Sequence, residues 1–274
     1  DGLVDIGRDV WTFDFSGAIQ PGDPELNKEA KWVYRDGIST LGKRLAEASG
    51  AEVRREIRVG KLEREGDRWA LFDDAGDELG VFDRVLLTAP GPQSCELLRG
   101  SRMDPGVKAQ LVGALEKARY HRQFCFVFGF DFKVERPGDF YALINTDGGH
   151  GLSWVSFEDD MGDRIGAGKS VVVVQMSPAW SLAHFEEEPG SFAPVVFEKL
   201  ADLIGPGVGG GYAWCDFQRW KYAHPFSAAD REGLGAGKAH GLYFAGDALV
   251  GKGRVGLSME TGLEAGRMIV EGMG

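Results

Sequence analysis

Cysteine is scarce: the 274 residues hold three, Cys95, Cys125 and Cys215. They are odd in number and widely spaced, with no Cys-x-x-Cys pair, so zinc and thioredoxin-type chemistry are not expected. Cys125 and Cys215 lie in apolar alternation and read as core. The five histidines, His121, His150, His184, His224 and His240, fall at no metal-like spacing. No apolar run of about 18 residues occurs, so no transmembrane helix is expected. No signal peptide is legible either, and the first residue is Asp1 rather than Met, as in a processed chain or a fragment. Basic residues are in deficit, 31 against 42 acidic ones, for a net charge of −11. Such a chain is a poor nucleic-acid binder. Arg54, Arg55 and Arg58 alternate with Glu52 and Glu56, which reads as a solvated strand face. The expectation is a cytoplasmic protein whose partner is a small molecule, with no nucleic acid and no membrane.

What is present is concentrated near the C-terminus, from Gly241 to Met273. Leu242–Ala245 reads as a short buried strand, and Asp247 follows Gly246 at its carboxyl end, where open α/β sheets place ligand groups. A glycine-rich loop comes next. From about Val255 the period turns helical, with Val255, Met259, Gly262, Leu263, Gly266 and Ile269 on one side. Gly246 would let a backbone come close to a ligand. Asp247 would accept hydrogen bonds from sugar or polyol hydroxyls, and the helix start would offer N–H groups to an anion. Gly262 and Gly266 would let the helix pack tightly. The same pattern also describes a plain strand and helix closing a sheet.

Upstream, strands are expected near Val10–Phe15 and Lys31–Tyr34. A helix with Ile38, Leu41, Leu45 and Ala48, capped by Asp36 or Ser39, should end at Gly50. Alternation of Val53, Ile57, Val59 and Leu62 reads as a strand. Trp69–Phe72 and Leu79–Phe82 flank a turn-rich Asp73–Glu78 and form a hairpin signal. Val85-Leu86-Leu87 reads as a strand buried on both faces in a parallel sheet, and Gly91-Pro92 breaks it before a short helix with Cys95 and Leu98. Pro105–Ala118 suits a helix with Val107, Leu111 and Leu115 on one face. Phe124, Phe126, Phe128, Phe130 and Phe132 alternate strictly, as a core face or as one wall of a flat ligand's pocket. Further strands are expected at Ser153–Phe157, Lys169–Met176 and Tyr212–Trp220, the last running on to Pro225. Met161–Arg164 reads as a loop, and 191–203 as an amphipathic helix.

Phe244-Ala245-Gly246-Asp247, then Arg254-Val255-Gly256 and Thr261-Gly262-Leu263-Glu264-Ala265-Gly266, resemble the C-terminal flavin motif of the amine-oxidase class of flavoproteins, and most closely the renalase-like members. The succession from helix to Thr88-Ala89-Pro90, the Ala179-Trp180-Ser181 run and the Gln218–Pro225 run look similar to the same group, so the resemblance covers nearly the whole chain. It implies an α/β fold: an incomplete Rossmann-like FAD-binding domain (37–103 plus 231–274) interrupted by a sheet-rich α+β substrate domain (1–36 plus 104–230). It implies FAD contacts at Val59 near the adenine, at Thr88 and Pro90 beside the dinucleotide, and at Gly246, Asp247, Arg254, Val255 and Gly256 near the flavin. Trp154, Trp180, Trp220 and Tyr222 are candidates for aromatic walls around a substrate. Taken singly, Val59, Thr88, Pro90 and these four aromatics read as structural before they read as site residues. No acid or base is compelled, because hydride transfer from an electron-rich substrate needs positioning more than a base.

Of two Gly-x-Gly-x-x-Gly matches, Gly205–Gly210 follows a helix and precedes a strand, the reverse of the dinucleotide fingerprint. Gly251–Gly256 lies between strand and helix, and reads as part of the flavin motif rather than as an independent nicotinamide site. The fingerprint that the resemblance implies belongs to a first βαβ unit, and none is present. The expectation is a truncated flavoenzyme sequence, or one completed by a separate N-terminal βαβ segment, binding FAD weakly or not at all by itself. The implied activity is a renalase-type oxidation of reduced NAD(P) isomers with oxygen as acceptor. The alternatives are oxidation of another amine and a degenerate, non-catalytic binding module.

Overall fold

The structure is a computed structural model describing residues 2–162 and 164–272. Asp163 of the expected Met161–Arg164 loop and Met273 at the end of the C-terminal stretch lie outside the described residues. The chain forms two compact units, Asp1–Val53 with Arg122–Trp220 and Arg54–His121 with Lys221–Gly274.

Up to residue 53 the chain forms β1 (Leu3–Asp5), β2 (Asp9–Phe13), β3 (Ile19–Gln20), α1 (Pro24–Asn27), β4 (Trp32–Tyr34) and α2 (Ser39–Ser49). The next stretch forms β5 (Val59–Glu65), β6 (Arg68–Asp73), β7 (Glu78–Phe82), β8 (Val85–Leu87), α3 (Gly91–Gly100) and α4 (Pro105–Leu115). Then come β9 (Arg119–Phe130), β10 (Phe140–Asn145), β11 (Leu152–Phe157), β12 (Ser170–Met176), α5 (Pro178–Ala183), α6 (Ala193–Ile204) and β13 (Trp214–Ser227). The chain closes with α7 (Arg231–Leu234), β14 (Leu242–Phe244) and α8 (Val255–Glu271).

The first unit is built on a seven-stranded sheet of order β13-β9-β12-β11-β10-β2-β3. One face is apolar because β9 presents Phe124, Phe126, Phe128 and Phe130 at period two. All four are buried against Val196, Leu200, Leu203 and Ile204 of α6. Each such aromatic contributes about 1.5–3 kcal/mol of burial, so the alternation serves a core. Phe132 lies beyond the strand and stays 37% exposed. β10 is a strand that the sequence reading passed over. Its Phe140-Tyr141-Ala142-Leu143-Ile144 run is apolar but does not alternate cleanly, because a register irregularity at Phe140/Ala142 accompanies its parallel pairing with β2.

The second unit holds the antiparallel meander β5-β6-β7 and a parallel pair, β14 with β8. The expected hairpin is present, and Asp73 Oδ1 closes its turn by accepting the Ala75 and Asp77 N–H groups at 2.9 Å each. Leu62, Trp69, Cys95, Leu98, Leu111, Leu115, Leu242 and Phe244 form a separate core.

Several expectations are corrected. Val53 and Ile57 are exposed and precede β5, which starts only at Val59. The charged 54–58 segment is therefore irregular rather than a strand face, and Glu56 even takes a left-handed φ of 61°. Leu86 is 36% exposed, so β8 is not buried on both faces. α2 buries no residue, and its Ile38 and Leu45 face solvent. On α8 the buried positions are Thr261 and Ala265, whereas Val255 and Leu263 are 54% and 61% exposed. A Cβ on Gly256, Gly262 or Gly266 would meet nothing within 4 Å. Helical period alone does not tell which side a glycine-rich helix turns to its sheet, and here hydroxyl bonding at Thr261 selects it. Only Cys95 is fully buried, while Cys125 and Cys215 are half-buried.

The compact units also differ in extent from the expected domains. α2 belongs with the first unit, where the Arg44 guanidinium lies 5.5 Å from the Tyr34 ring centroid. α4 belongs with the second unit, since its Leu111 and Leu115 pack with Leu98.

Phe126→Ala should destabilise the first unit by about 3–5 kcal/mol, since a buried Phe leaves a cavity that its neighbours fill only in part. The measurement is the denaturant midpoint, with α6 and the sheet melting together.

Candidate functional site

The candidate site lies in the second unit and starts from the β8–β14 pairing. Leu242, Tyr243 and Phe244 pair in parallel register with Val85, Leu86 and Leu87, so the two strands end side by side. Beyond β8 comes Thr88-Ala89-Pro90, with Pro90 at the N-cap of α3. Beyond β14 the chain turns at Gly246, whose φ of 106° and ψ of −174° suit only glycine. A Cβ at Gly246 would stand 3.1 Å from the Thr88 carbonyl oxygen. The Gly246 N–H donates to Thr261 Oγ1 at 2.8 Å, and the Thr261 hydroxyl donates to the Ser258 carbonyl at 2.7 Å. One buried threonine thus ties the strand end to α8.

These elements enclose an open cavity of about 500 Å³, within the range of small-molecule sites. Thr88, Gly246, Asp247, Arg254 and Val255 line it together with Ala223, His224, Gly253, Ser258, Met259 and Gly262. Five of the eight expected cofactor positions are therefore gathered by the fold. Gly256 sits beside them in the first turn of α8. Val59 lines a different cavity, of about 210 Å³, together with Ala89, Gln93 and Leu97. Thr88 and Ala89, consecutive in sequence, thus face one cavity each.

The polar groups of the larger cavity are unlike one another. Asp247 accepts a hydrogen bond from the Tyr120 hydroxyl at 2.8 Å. Arg254 is the N-cap residue of α8, and no side chain caps that helix. The first-turn N–H groups are left to other partners, with the positive end of the helix dipole behind them. His224 lies 4.8 Å, centroid to centroid, from His121, whose ring in turn lies 4.5 Å from Phe226. Burial lowers the His121 pKa, and the nearby His224 lowers it further. Burial likewise lowers that of His224, with Arg254 adding to the effect and a backbone bond at Pro225 opposing it. The pair is neutral at neutral pH. Such a cavity can accept hydrogen bonds from hydroxyls at Asp247 and stabilise negative charge at the α8 start.

The aromatic substrate candidates are not gathered in this way. Tyr222 belongs to the second unit and packs edge-on against Tyr120, centroids 5.6 Å apart. Trp154 and Trp180 belong to the first unit. Trp154 packs edge-on against Tyr141, and Trp180 packs against Phe124 and Phe192 at the core. Trp220 is 50% exposed. The sequence reading did not find Tyr120, His121, His224 or Ser258 for this site, and gave Thr261 only as part of the resembling motif, without a role. Tyr120 stands 127 positions from Asp247, and no periodicity or spacing carries a signal over that distance.

A family model described as flavin containing amine oxidoreductase matches residues 7–270. Among solved structures, a provisionally assigned protoporphyrinogen oxidase from Exiguobacterium sp. is 20% identical with a TM-score of 0.66, over 88% of this chain and 52% of that one. Wild-type putrescine oxidase bound to putrescine is 14% identical with a TM-score of 0.65, over 91% and 56% respectively. Cyclohexylamine oxidase from Brevibacterium oxydans is 17% identical with a TM-score of 0.61, over 86% and 53%. At these identities the likeness is one of fold, a mixed α/β arrangement. The chain spans about half the length of the solved structures it matches. No helix among the described residues is long and apolar enough to cross a membrane.

Thr261→Val should cost about 1–3 kcal/mol by stranding the Gly246 N–H, read as a lower denaturant midpoint with the cavity lining disturbed. For His121 and His224 the folded-state values lie below the unfolded ones, so the unfolded chain binds more protons in acid. Stability should therefore be full above about pH 6.5 and fall as pH drops through the folded values. The fall should be shallower in His224→Asn, measured as unfolding midpoint against pH.

Proposed function

Because the chain belongs to the flavin-containing amine oxidoreductase family, we propose that it is the greater part of an FAD-dependent oxidase acting on a small electron-rich molecule. The observation that carries this reading is the convergence of Thr88, Gly246, Asp247, Arg254 and Val255 on one cavity. Its donors and acceptors suit a flavin. Asp247 would hold hydroxyls of the ribityl chain. The uncapped start of α8 at Val255 and Gly256, with Arg254 beside it, would face the edge of the ring system that gains negative charge. Gly246 would keep the backbone at Thr88 close enough to leave the cavity open. Val59 and Ala89, on the smaller cavity, would take the adenine end, with Thr88–Pro90 between the two. Bound FAD would supply the electron sink, taking a hydride equivalent from the substrate and passing electrons to oxygen.

The residues' own work is binding and orientation. His224, neutral and half-buried, lines the cavity without adding charge to it. On this reading the second unit is the cofactor domain and the first the substrate domain, with Trp154, Trp180, Trp220 and Tyr222 as candidate substrate contacts. The likeness of the Gln218–Pro225 and Ala179–Ser181 runs to renalase-like proteins favours reduced NAD(P) isomers as substrates. The family's amine chemistry favours an amine as the second reading. A non-catalytic binding module is the third, and loss of turnover with retained flavin would support it. The cytoplasm is the proposed location.

Among the described residues, neither outer edge of the β8–β14 pair carries a further strand. Parallel sheets are normally larger and covered on both faces. This supports a further βαβ segment, in a longer protein or a separate polypeptide, that adds a strand and a phosphate-binding turn.

Absorbance spectra of the 274-residue chain, with and without FAD, should show weak uptake or none, and strong uptake once the βαβ segment is supplied. A firmly held flavin in the shorter chain would refute the need for that segment. In the completed protein Asp247→Asn should weaken FAD binding about tenfold, the worth of a hydrogen bond to a charged group. Offering reduced NAD(P) isomers and then amines, with oxygen consumption as readout, separates the two substrate readings.

A further inference from the structure

Tyr120 belongs to none of the motifs that mark the cavity, yet it makes the one side-chain hydrogen bond that Asp247 receives among the described residues. Its hydroxyl donates to Asp247 Oδ1 at 2.8 Å. The same hydroxyl oxygen accepts the Gly91 N–H at 3.4 Å. The ring is held edge-on by Tyr222 at an interplanar angle of 70°. The Asp247 backbone is fixed as well, its carbonyl accepting the Val250 and Gly251 N–H groups at 3.0 Å each. What remains free is rotation of the carboxylate about a torsion that is broad and roughly two-fold. A donor on Oδ1 restricts that rotation and leaves Oδ2 unengaged by the described residues, in a side chain whose residue lines the cavity. The contact cannot dissolve by ionisation in ordinary conditions, because burial, then the Asp247 bond and charge, push the phenol's pKa far up.

We propose that Tyr120 is a positioning residue for Asp247: it fixes one carboxylate oxygen so that the other meets a sugar-alcohol hydroxyl of the ligand, and through Gly91 it couples the loop after β8 to the loop after β14. This rests on the flavin reading of the cavity. The coupling has a physical consequence beyond a single bond. Gly91 opens α3, and a Cβ there would stand 2.8 Å from the Ala118 Cβ, so the start of α3 is packed against the segment that carries Tyr120. Displacing either loop would therefore turn the carboxylate.

The test is a double-mutant cycle on the full-length protein, stripped of flavin and titrated with FAD by fluorescence. Tyr120→Phe keeps the ring and its packing, so the unfolding midpoint should move little while the FAD dissociation constant rises about tenfold. Asp247→Asn should weaken binding as well, and the double variant should bind no more weakly than Asp247→Asn alone, because the tyrosine acts through the aspartate. Wild-type affinity in Tyr120→Phe, or single-variant effects that multiply in the double variant, would overturn the proposal. A flavin-free readout runs in parallel: ultraviolet difference titration of the phenols. One tyrosine that resists ionisation in the wild type should ionise at lower pH in Asp247→Asn, and no change there also overturns it. A wild-type protein that takes up no FAD sinks the flavin reading instead, and the phenol titration then decides by itself whether Tyr120 holds Asp247.

Discussion

The cavity depends on a three-residue parallel pairing. Leu242–Phe244 lies in register with Val85–Leu87, and both connecting loops therefore leave the sheet at one level. Parallel strands cannot be joined by a tight turn, so these two are separated by more than 150 positions of chain and come together only through the core beneath them. That core is Leu62, Trp69, Leu98, Leu111, Leu115, Leu242 and Phe244. Removing the register would part Thr88 from Gly246, which now approach to within contact. The pairing carries few hydrogen bonds of its own, and burial of its side chains supplies most of the stabilisation.

Three further fixings turn a strand end into a site. Glycine at 246 accepts a left-handed φ and a close carbonyl, which no side-chain-bearing residue does cheaply. Thr261 satisfies the Gly246 N–H from the buried side of α8. Tyr120 satisfies Asp247 from the start of β9. Each is a polar group in a part-buried setting that would cost free energy if left alone. Fold and cavity draw on the same bonds here, so residues that serve packing also fix the groups that line the cavity.

The first unit is organised by a different constraint. Its sheet is apolar on the face that carries Phe124, Phe126, Phe128 and Phe130, and α6 covers it. On the other face Trp154 and Tyr141 pack edge-on, and Ser153 receives a Gln123 bond at 3.2 Å. A mixed polar and aromatic sheet face opposite an apolar core rich in phenylalanine is chemically distinct from the cavity of the second unit, and the division of labour proposed for the two units follows that contrast.

Strong local signals in the sequence determined much of this. Strict alternation gave β9, turn chemistry gave the β6–β7 hairpin, and Pro105 marked the start of α4, where the structure adds an Asp104 cap on the Val107 N–H. The Phe244–Asp247 and Arg254–Gly256 runs, singled out by their resemblance to a flavin motif, include Gly246, Asp247, Arg254 and Val255, which line the cavity. Three things were decided only in the tertiary structure. The buried side of α8 is set by Thr261 and Ala265 rather than by its larger apolar residues, since a glycine-rich helix presents two sides of similar hydropathy. The residues at 53–58 stay irregular because a charged segment gains little by pairing. Tyr120 and His224 join the site from distant stretches of chain, where no period links them to Asp247 or Arg254, and only the folded core brings the Tyr120 hydroxyl within hydrogen-bond distance of Asp247.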